Sequence, residues 1–556
     1  MPYRILTKRV GNAVRLAEVV QILVKYGFAD VIQRMGLHEG LPAKVLRSLR
    51  IMEATPQPHR TQGARLREAL TELGPTFVKA GQVLSTRPDL VGTRMAAELS
   101  ALQDRVEPLP FDEMQPAIEA SLEGKLSDLF ASFDPVPVAA ASLSQVYRAR
   151  LHSGVDVAVK AQRPGVRAII QADLSLMRTV AEWAVEHMEE RAWMDPVAVV
   201  DEFERSVQRE LNFLIEQRTI DRFRAQYEND PHLFVPRTYP DLCTPLVLTM
   251  DWIDGVRVDD LAAYPERNSD PRQVALAGCQ VLCRQAFEDR FFHADPHPGN
   301  IFLLRDNRFA LLDYGMVGHL ERADVLAMAD LLAGVFRQDA DQCLQAVLTF
   351  TVSGEIAEPD ALRHEIADYI AFEAQAVVAG ALVGKAMEQV SAIMHRHRLT
   401  LAPRYSLLLK ALGTIESTAH RLDSELDVAR VIQPYVEQMM LRRYAPGYVV
   451  EELRHDAHGM LRLMRAAPGD LLQLLAKLRR GRLMIHLQHE KLDRLAAVLD
   501  RASNRVTVGL IAGSIIVGSS LLVATQTARS LGVGGFLVAG ILGLALVISI
   551  LRSRNY

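Results

Sequence analysis

The chain of 556 residues is long enough for several folding units, which excludes a single small module. Its 63 Lys and Arg residues nearly balance 67 Asp and Glu residues, so the net charge of −4 gives no electrostatic drive toward nucleic acid. Four cysteines in a chain of this length exclude a disulfide framework and favour a reducing compartment. Cys279 and Cys283, four apart in an apolar stretch, are predicted to form one buried helix face.

The first 130 residues are predicted to be helical in two parts. Residues 1–59 form a helical extension that lacks the continuous apolar core and the cleavage site of a secretory signal. Its early basic residues fit a solvated helix face, a helix lying on an anionic membrane or a weak transit peptide, with the solvated face as the default. Residues 60–130 have apolar side chains at three- and four-residue spacing, with a break at Pro75.

Residues 131–253 are predicted to form a small lobe that carries a sheet. Two β-prone runs, Gln145–Leu151 and Val155–Ala161, flank His152-Ser153-Gly154 and predict an antiparallel hairpin. A further apolar run follows at Leu246–Ile253, and helical periodicity fills the residues between.

Lys160 ends the second strand of this hairpin. A lysine in that position commonly protects a sheet edge. It acts instead as a phosphate-binding cation if a carboxylate fixes it, and Glu210 and Glu216, in a helical segment about 50 residues further on, are the candidates. The strand taken alone leaves both interpretations open.

Residues 254–440 are predicted to be mostly helical, with one loop-rich stretch. Two prolines and a glycine exclude a helix around Asp295 and Asn300, so both side chains come from a loop. The apolar run Phe309–Leu312 then ends in Asp313, which an aromatic residue and a glycine follow. Together these residues supply the oxygen ligands and the carboxylate that phosphoryl transfer needs.

Two other interpretations of this loop compete with phosphoryl transfer. His293, Asp295 and His297 alternate along the chain and could ligate zinc, but the prolines prevent a helical i, i+4 pair and a fourth ligand is not evident. A structural role, in which Asp and Asn cap turns, explains any one of the motifs but not all of them in this order.

The C-terminus carries the apolar excess of the composition. After a helical linker at residues 441–504, Val506–Thr525 and Leu531–Leu551 are 20 and 21 residues without a charge, and each is long enough for about 30 Å of hydrocarbon. The short connection Gln526–Ser530 predicts a hairpin of two transmembrane helices within residues 505–552. A buried hairpin in a soluble protein is the alternative.

Charges at the ends of the hairpin predict its orientation. Arg501 and Arg505 precede the first span and Arg552 and Arg554 follow the second, whereas the turn has Arg529 alone. By the positive-inside rule, the large N-terminal region is then cytoplasmic.

Small residues recur four apart in both spans, at Gly509/Gly513 and at Gly535/Ala539/Gly543. This spacing lets two helices approach closely in lipid. Pairing within the hairpin and pairing between the protomers of a homodimer both stay open.

The chemistry-bearing motifs follow the order of the protein kinase motif set, with Tyr314 in place of the usual phenylalanine and Ala294 in place of the usual arginine. They are Val157-Ala158-Val159-Lys160, the two helical glutamates, His293-Ala294-Asp295 with Asn300, and Asp313-Tyr314-Gly315. An alanine-rich loop at Ala139–Tyr147 and Lys79-x-Gly81-Gln82 upstream narrow the match. From Arg60 to His420 the chain resembles the UbiB family of ADCK-type atypical kinases, which supports ubiquinone biosynthesis.

The resemblance implies an α+β fold: a bilobal atypical protein-kinase-like domain with an N-terminal helical extension and a C-terminal transmembrane hairpin. It implies ATP and Mg²⁺ as ligands, with Asp295 and Lys160 catalytic and with Asn300 and Asp313 on the metal. The implied nucleotide contacts are Ala139, Ala140, Ala141, Ser142, Leu143, Ser144, Gln145, Val146, Ala158, Lys160, Glu216 and the hinge residues Met250, Asp251 and Trp252. A regulatory helix with Lys79, Gly81 and Gln82 would cover the active site and engage Glu210.

Two departures from the family pattern matter. Asn212 stands where the family has aspartate in the Glu-x-Asp element, and Gln217 replaces the usual alanine, which puts the contact of that element with the regulatory helix in question. Alanines in the nucleotide loop restrict the positive-φ freedom that glycines give to a phosphate-binding loop. The resemblance therefore implies slow ATP hydrolysis in place of protein phosphorylation.

These observations lead to a membrane-anchored ATPase on the cytoplasmic face of a bacterial inner membrane. Membrane lipids, polyprenyl quinone intermediates and ubiquinone biosynthesis enzymes are its expected partners, and nucleic acid is not. The alternatives are a protein or small-molecule kinase, which requires the Lys79 helix to move aside, and a nucleotide-sensing scaffold without turnover.

Overall fold

A computed structural model of the chain describes residues 15–30, 61–102, 106–187, 195–352, 358–372, 383–444, 492–524 and 529–552. These residues belong to two compact units, Met1–Glu451 and Glu452–Tyr556. Most of the predicted extension at residues 1–59 and most of the predicted linker at residues 441–504 lie outside the described residues.

The first described residues of the first unit are helical. Residues 15–25 form a helix, and from residue 61 onward the described helices are α1 (Gln62–Leu73), α2 (Pro75–Ser85), α3 (Pro88–Val91), α4 (Thr93–Leu99), α5 (Phe111–Leu122) and α6 (Leu126–Leu129). The predicted break at Pro75 is confirmed, because Gly74 adopts φ +102 between α1 and α2. In α2, a Cβ on Gly81 would lie 2.3 Å from the tip of Leu102, so glycine permits the close packing of this helix.

The strands of the described residues form three small sheets. They are β1 (Ser132–Phe133), β2 (Ala139–Ala140), β3 (Ser144–Arg150), β4 (Asp156–Gln162), β5 (Leu233–Phe234), β6 (Val247–Asp251), β7 (Val256–Arg257), β8 (Phe291–His293), β9 (Ile301–Leu303), β10 (Phe309–Leu311) and β11 (Val317–His319). The first sheet has the order β1-β3-β4-β6 with β2 on β3, the second the order β5-β10-β9-β7, and β11 pairs with β8.

The predicted hairpin is confirmed as β3 and β4. The two strands are antiparallel and pair Val146 with Lys160, and β4 pairs in turn with β6, where Ala158 lies opposite Met250. Gly154 takes φ +87 in the connecting turn, a conformation that favours glycine. Lys160 therefore lies on a central strand of the sheet, and the interpretation that it protects a sheet edge is wrong.

Helices make up most of the rest of the first unit. They are α7 (Val166–His187), α8 (Pro196–Glu210), α9 (Phe213–Tyr227), α10 (Pro271–Cys283), α11 (Arg322–Arg337), α12 (Ala340–Thr349), α13 (Pro359–Phe372), α14 (Val383–Arg396), α15 (Pro403–Leu422) and α16 (Val428–Tyr444). The largest buried apolar cluster joins α10 and α15 to Ala158 and Met250 of the first sheet. Cys279 and Cys283 lie in this cluster as buried free thiols, which confirms their predicted helix face.

The described residues of the second unit form two helices, α17 (Leu492–Ala524) and α18 (Arg529–Arg552). Within α17, the 19 residues Val506–Ala524 have a mean hydropathy of 2.2 and are long and apolar enough to cross a membrane. In α18 the apolar stretch over described side chains, Ser530–Leu544, is shorter than a span, so the second span stays a prediction. Most of the predicted turn and the five orienting side chains, Arg501, Arg505, Arg529, Arg552 and Arg554, lie outside what the structure describes.

Small residues bring α17 and α18 together. A Cβ on Gly535 would lie 2.0 Å from Ser519 Oγ, and one on Gly532 would lie 2.9 Å from the Ser519 carbonyl oxygen. Ala539 is buried in the same unit. By contrast, a Cβ on Gly509, Gly513 or Gly543 would meet nothing within 4 Å. Pairing within the hairpin is confirmed for the Gly535 end, and pairing between protomers stays a prediction.

Candidate active site

Lys160 on β4 lies at the centre of the candidate site. Its Nζ donates to both carboxylate oxygens of Glu216 on α9 at 2.9 Å and lies 3.6 Å from Oδ1 of Asp313. The side chains of Lys160 and Glu216 are 16% and 5% exposed, whereas that of Asp313 is 49% exposed. The buried Lys160 ammonium thus lies between two carboxylates, of which Asp313 is the more exposed. Of the two candidate carboxylates in the sequence, Glu210 and Glu216, it is Glu216 that pairs with Lys160.

Burial and charge act against each other in this triad. Burial lowers the pKa of Lys160, but the Asp313 and Glu216 carboxylates more than compensate and raise it above its usual value. Burial raises the pKa of Glu216 to about 7, against the opposing effect of Lys160. Burial also raises the pKa of Asp313, yet Lys160 and the N–H of Gly315, 2.9 Å from Oδ1, hold it well below its usual range. Asp313 is therefore an ionised carboxylate that a ligand can reach.

His293 connects the loop of Asp295 to that of Asp313. The N–H of Asp295 donates to His293 Nδ1 at 3.2 Å, which puts the ring proton on Nε2, where it is donated to the Asp313 carbonyl. The ring is 1% exposed, and burial lowers its pKa. Because both ring nitrogens are engaged, the zinc interpretation is wrong for His293. Among the described residues, no group of three or more His, Cys, Asp or Glu could hold a metal ion.

Asp295 and Asn300 lie in the predicted loop, which includes a short 3₁₀ turn at Pro298–Asn300. Asn300 Nδ2 donates to the Asp295 carbonyl at 3.4 Å, and the N–H of Leu312 donates to the Asn300 carbonyl at 3.0 Å. The second bond places Asn300 beside the strand end that carries Asp313. The side chain of Asp295 forms an ion pair with Lys410 on α15, with Lys410 Nζ 2.9 Å from Asp295 Oδ1.

Tyr314 joins the Asp313 segment to the Lys160–Glu216 pair. Its N–H donates to Glu216 Oε1 at 3.4 Å, and its ring packs 5.4 Å from Phe223 and 5.8 Å from His293 between centroids. The ring is buried, and its hydroxyl has no hydrogen-bond partner among the described residues. The hydroxyl that distinguishes this residue from the usual phenylalanine therefore contributes no contact here.

The alanine-rich loop is a tight turn between β2 and β3. Ala139 pairs with Val146, and the N–H of Ala141 donates to the Ser144 carbonyl at 2.8 Å. Leu143, at the tip, belongs to a buried apolar cluster, and Ala80 and Val83 of α2 pack against this cluster. The other buried members of the cluster are Val166, Ile170, Leu174, Phe203, Val207 and Leu211. The loop is thus fixed by apolar packing against the regulatory helix and is not free like a glycine-rich loop.

Gln145 does not direct its side chain toward a nucleotide. Its Oε1 accepts the Leu109 N–H at 2.6 Å, and its Nε2 donates to the Tyr147 hydroxyl at 2.7 Å, with the residue fully buried. The side chain of Gln145 is therefore engaged within the protein, and the nucleotide contact at this position stays a prediction.

Backbone and side-chain groups of the predicted hinge form hydrogen bonds within the protein. The N–H of Asp251 donates to the Arg237 carbonyl at 2.9 Å, and that of Trp252 donates to the Asp156 carbonyl at 3.1 Å. The Asp251 carboxylate accepts the Arg237 N–H at 2.9 Å and the Tyr239 hydroxyl at 2.8 Å. The N–H groups predicted to meet adenine at these two positions are therefore engaged within the protein.

Helix α2, the predicted regulatory helix, contacts the site through Lys79. Lys79 Nζ contacts a carboxylate oxygen of Glu210, and its charge also helps to lower the pKa of Asp313. Gln82 Nε2 donates to the Leu102 carbonyl at 3.5 Å. Asn212 caps α9, with its Oδ1 accepting the Leu214 N–H at 3.2 Å, so the Lys79–Glu210 contact forms without a carboxylate at residue 212.

Comparison with known proteins assigns this arrangement to a family. Residues 101–347 match the ABC1 atypical kinase-like domain, residues 381–427 the UbiB helical domain and residues 490–552 the ABC1/UbiB kinase-like C-terminal domain. A "Probable protein kinase UbiB" from Pseudomonas putida (strain W619) is 31% identical over 515 residues, 91% of this chain and 93% of that protein. The chain belongs to the UbiB family.

Two further relatives of this UbiB-family chain differ in kind. An "Uncharacterized protein in hydrogenase 1 5'region" of Clostridium pasteurianum is 29% identical over 553 residues, 98% of this chain and 99% of that protein. A solved structure of Rv3197 with erythromycin, from Mycobacterium tuberculosis, overlaps with a TM-score of 0.46 at 21% identity and covers 72% of this chain and 100% of that one. The kinase-like character of this helix-rich α+β chain rests on the domain match.

Sequence reasoning missed two contacts of this UbiB-family site. Lys410 follows its partner Asp295 by more than 100 residues, in a helix whose pattern carries no signal for an active site. Arg87 is buried and donates to Asp89, Glu202 and the Leu401 carbonyl, which ties the end of α2 to α8 and to the segment before α15. The neighbouring Arg-Pro-Asp sequence was a signal for this cluster, since a buried arginine requires a carboxylate.

Proposed function

We propose that this chain is a membrane-anchored kinase-like ATPase that binds Mg-ATP and supports ubiquinone biosynthesis by acting on lipid quinone precursors or on the enzymes that modify them. The observation that carries the nucleotide part is the Lys160 ammonium, held between Glu216 and the half-exposed carboxylate of Asp313. A fixed cation beside an accessible carboxylate suits a nucleotide phosphate and its divalent ion.

The residues present fit Mg²⁺ bound together with phosphates. Mg²⁺ is commonly held by one or two protein oxygens plus substrate phosphates and water, and the Asp313 carboxylate and the Asn300 amide oxygen are offered from neighbouring strand ends. Bound Mg²⁺ would neutralise charge on the transferred phosphoryl group. Lys160 would orient the α- and β-phosphates, and Asp295 would orient the attacking oxygen.

Water is the favoured phosphoryl acceptor. The Lys79–Glu210 contact, the buried Arg87 cluster and the apolar cluster of Leu143 fix α2 to its neighbours, which supports a helix that stays over the site. A protein substrate would have to displace each of these contacts. A kinase with a protein or small-molecule acceptor therefore ranks below the ATPase.

A nucleotide-sensing scaffold without turnover is the second candidate. The observation in its favour is the 2.9 Å ion pair between Asp295 and Lys410, because it occupies the carboxylate oxygen that would otherwise orient an attacking water.

The membrane part of the proposal rests on Val506–Ala524 and on the apolar α18 that follows it. We propose two spans in a bacterial inner membrane, with the kinase-like domain on the cytoplasmic side. Polyprenylated substrates reside in the same bilayer.

The test is Mg²⁺-dependent phosphate release from ATP by the full-length protein, with and without anionic liposomes. Asp313→Asn removes the proposed metal ligand, and Asp254→Asn, at an aspartate that is 92% exposed, is the matched control. Release that lipid stimulates and that only Asp313→Asn abolishes is the expected result. ATP binding without release above the Asp313→Asn background would favour the scaffold.

A further inference from the structure

A cavity lies next to the candidate active site. It has a volume of about 840 Å³, within the range of small-molecule pockets, and it lies between the end of α2, the loop after Asp295 and one face of α15. Thr86 lines it at the end of α2, His297 lines it from the loop, and Ser406, Lys410 and Gly413 line it from α15.

The lining of this cavity is mixed. Pro88, Pro298, Leu401 and Leu409 are its apolar part, Ser391, Thr414, Glu416 and Ser417 are polar, and a Cβ built on Gly413 would meet nothing within 4 Å. A glycine within α15 thus leaves room that a larger side chain would fill. An apolar ligand body of several carbons fits the open space beside Gly413 and the apolar part of the lining.

The cavity lining includes a buried hydroxyl that has no hydrogen-bond partner among the described residues. Ser406 is 3% exposed, lines the cavity, and its Oγ has no hydrogen-bond partner among the described residues. Buried hydroxyl groups are rarely left unsatisfied, so an oxygen-bearing ligand group is the expected partner.

Lys410 connects the cavity to the candidate catalytic carboxylate. It is one helical turn from Ser406 on α15, so the two side chains share a face, and its Nζ lies 2.9 Å from Asp295 Oδ1. An ammonium and a hydroxyl donor side by side suit a carboxylate, which accepts several hydrogen bonds.

We propose that this cavity binds an amphiphile with a carboxylate head, which accepts hydrogen bonds from Ser406 and Lys410 while its apolar body fills the space beside Gly413. The carboxylate head of the ligand and Asp295 both bind the Lys410 ammonium, so the ligand weakens the ion pair between Lys410 and Asp295. Because α2 supplies another wall, occupancy also stabilises the regulatory helix in place. The inference rests on the proposed function only in taking Asp295 as the catalytic carboxylate.

The test is isothermal titration of the full-length protein in phosphatidylcholine nanodiscs with decanoate, and with decanol as the uncharged match. Loss of a hydrogen-bonded charge changes affinity by roughly tenfold or more, so decanol is expected to bind at least tenfold more weakly. Titration with 4-hexylbenzoate distinguishes an aromatic from an aliphatic acid as the preferred class.

Variants localise the binding. Gly413→Phe fills the cavity and is expected to abolish binding of both probes, whereas Gly413→Ala should retain it. Lys410→Met should remove the preference for decanoate over decanol, and Lys410→Arg should restore it in part. Wild-type affinity in Gly413→Phe, or equal affinity of the wild type for decanoate and decanol, would overturn the proposal.

Nucleotide binding is measured on the same samples to separate the two proposals. Asp313→Asn should lose the Mg-ATP effect on thermal stability and keep decanoate binding, and Gly413→Phe should do the reverse. If no sample binds Mg-ATP while decanoate binds as expected, the proposed function fails and the cavity assignment stands.

Discussion

The two ends of the candidate nucleotide site are built differently. At the phosphate end, Lys160, Glu216 and Asp313 bring charged side chains together from β4, α9 and the end of β10. At the hinge end, the N–H groups of Asp251 and Trp252 are satisfied by other parts of the lobe. The phosphate end therefore offers charge to a ligand, whereas the hinge holds its own lobe together. Substitutions at the two ends should separate ligand binding from stability.

The largest effect is expected for Lys160→Met. Removing one partner of a buried ion pair leaves Glu216 without its cation and costs about 3–5 kcal/mol of folding free energy. ATP binding should be lost as well, because the phosphates lose their cation. Thermal unfolding and nucleotide titration of the full-length protein measure the two effects.

The double variant Lys160→Met/Glu216→Leu separates these effects. Replacing both partners by apolar side chains should restore most of the stability without restoring ATP binding. A single Lys160→Met variant that binds ATP with wild-type affinity would contradict the role of Lys160.

The pH dependence of stability tests the phosphate end in a second way. Burial raises the pKa of Glu216 to about 7, above the unfolded value near 4.5, so the folded protein binds the extra proton between these values. The contribution of Glu216 to stability is therefore present at low pH and is lost as the pH rises from about 4.5 through 7. The slope is at most about 1.4 kcal/mol per pH unit.

Glu216→Gln isolates this contribution, because glutamine does not titrate. The stability of the wild type relative to the variant should fall as the pH rises from 5 to 8. A difference that stays constant over this range would mean that Glu216 titrates outside it.

At the hinge end, Asp251→Ala is expected to reduce stability with little effect on ATP binding. The variant leaves the Arg237 N–H and the Tyr239 hydroxyl without their acceptor, at a cost of about 1–3 kcal/mol of folding free energy. ATP affinity should change less than twofold, since the carboxylate is directed into the lobe. A tenfold loss of affinity at unchanged stability would instead place Asp251 on the nucleotide.

The same difference explains what the sequence could predict. The phosphate end acts through the side chains of Lys160, Glu216 and Asp313. The sequence gives the type and the order of these side chains directly. The hinge would act through backbone N–H groups, whose partners Arg237 and Asp156 are set by tertiary packing. The hairpin of β3 and β4 followed from alternation and a glycine turn, which are local.

Contacts between distant segments could not be predicted for the same reason. The Lys410–Asp295 pair and the Arg87 contact with the Leu401 carbonyl depend on how α15 and its approach pack against the rest of the unit. Neither the spacing nor the composition of these segments encodes that packing. The bond of the Gln145 side chain to Leu109 could not be predicted either, because the residue lies in a motif but its partner lies outside it.

The smallest expected effect is that of Tyr314→Phe. Its hydroxyl is buried without a partner among the described residues, so removing it should leave stability unchanged or raise it by about 1 kcal/mol. The ring contacts with Phe223 and His293 and the N–H bond to Glu216 do not depend on the hydroxyl, so ATP binding should be unchanged. Thermal unfolding with and without Mg-ATP measures both, with Tyr147→Phe as the control, since that hydroxyl accepts a hydrogen bond from Gln145. A larger loss in Tyr314→Phe than in Tyr147→Phe would mean that the Tyr314 hydroxyl has a partner in solution, and the phosphate end would then include one more polar contact than its charged side chains supply.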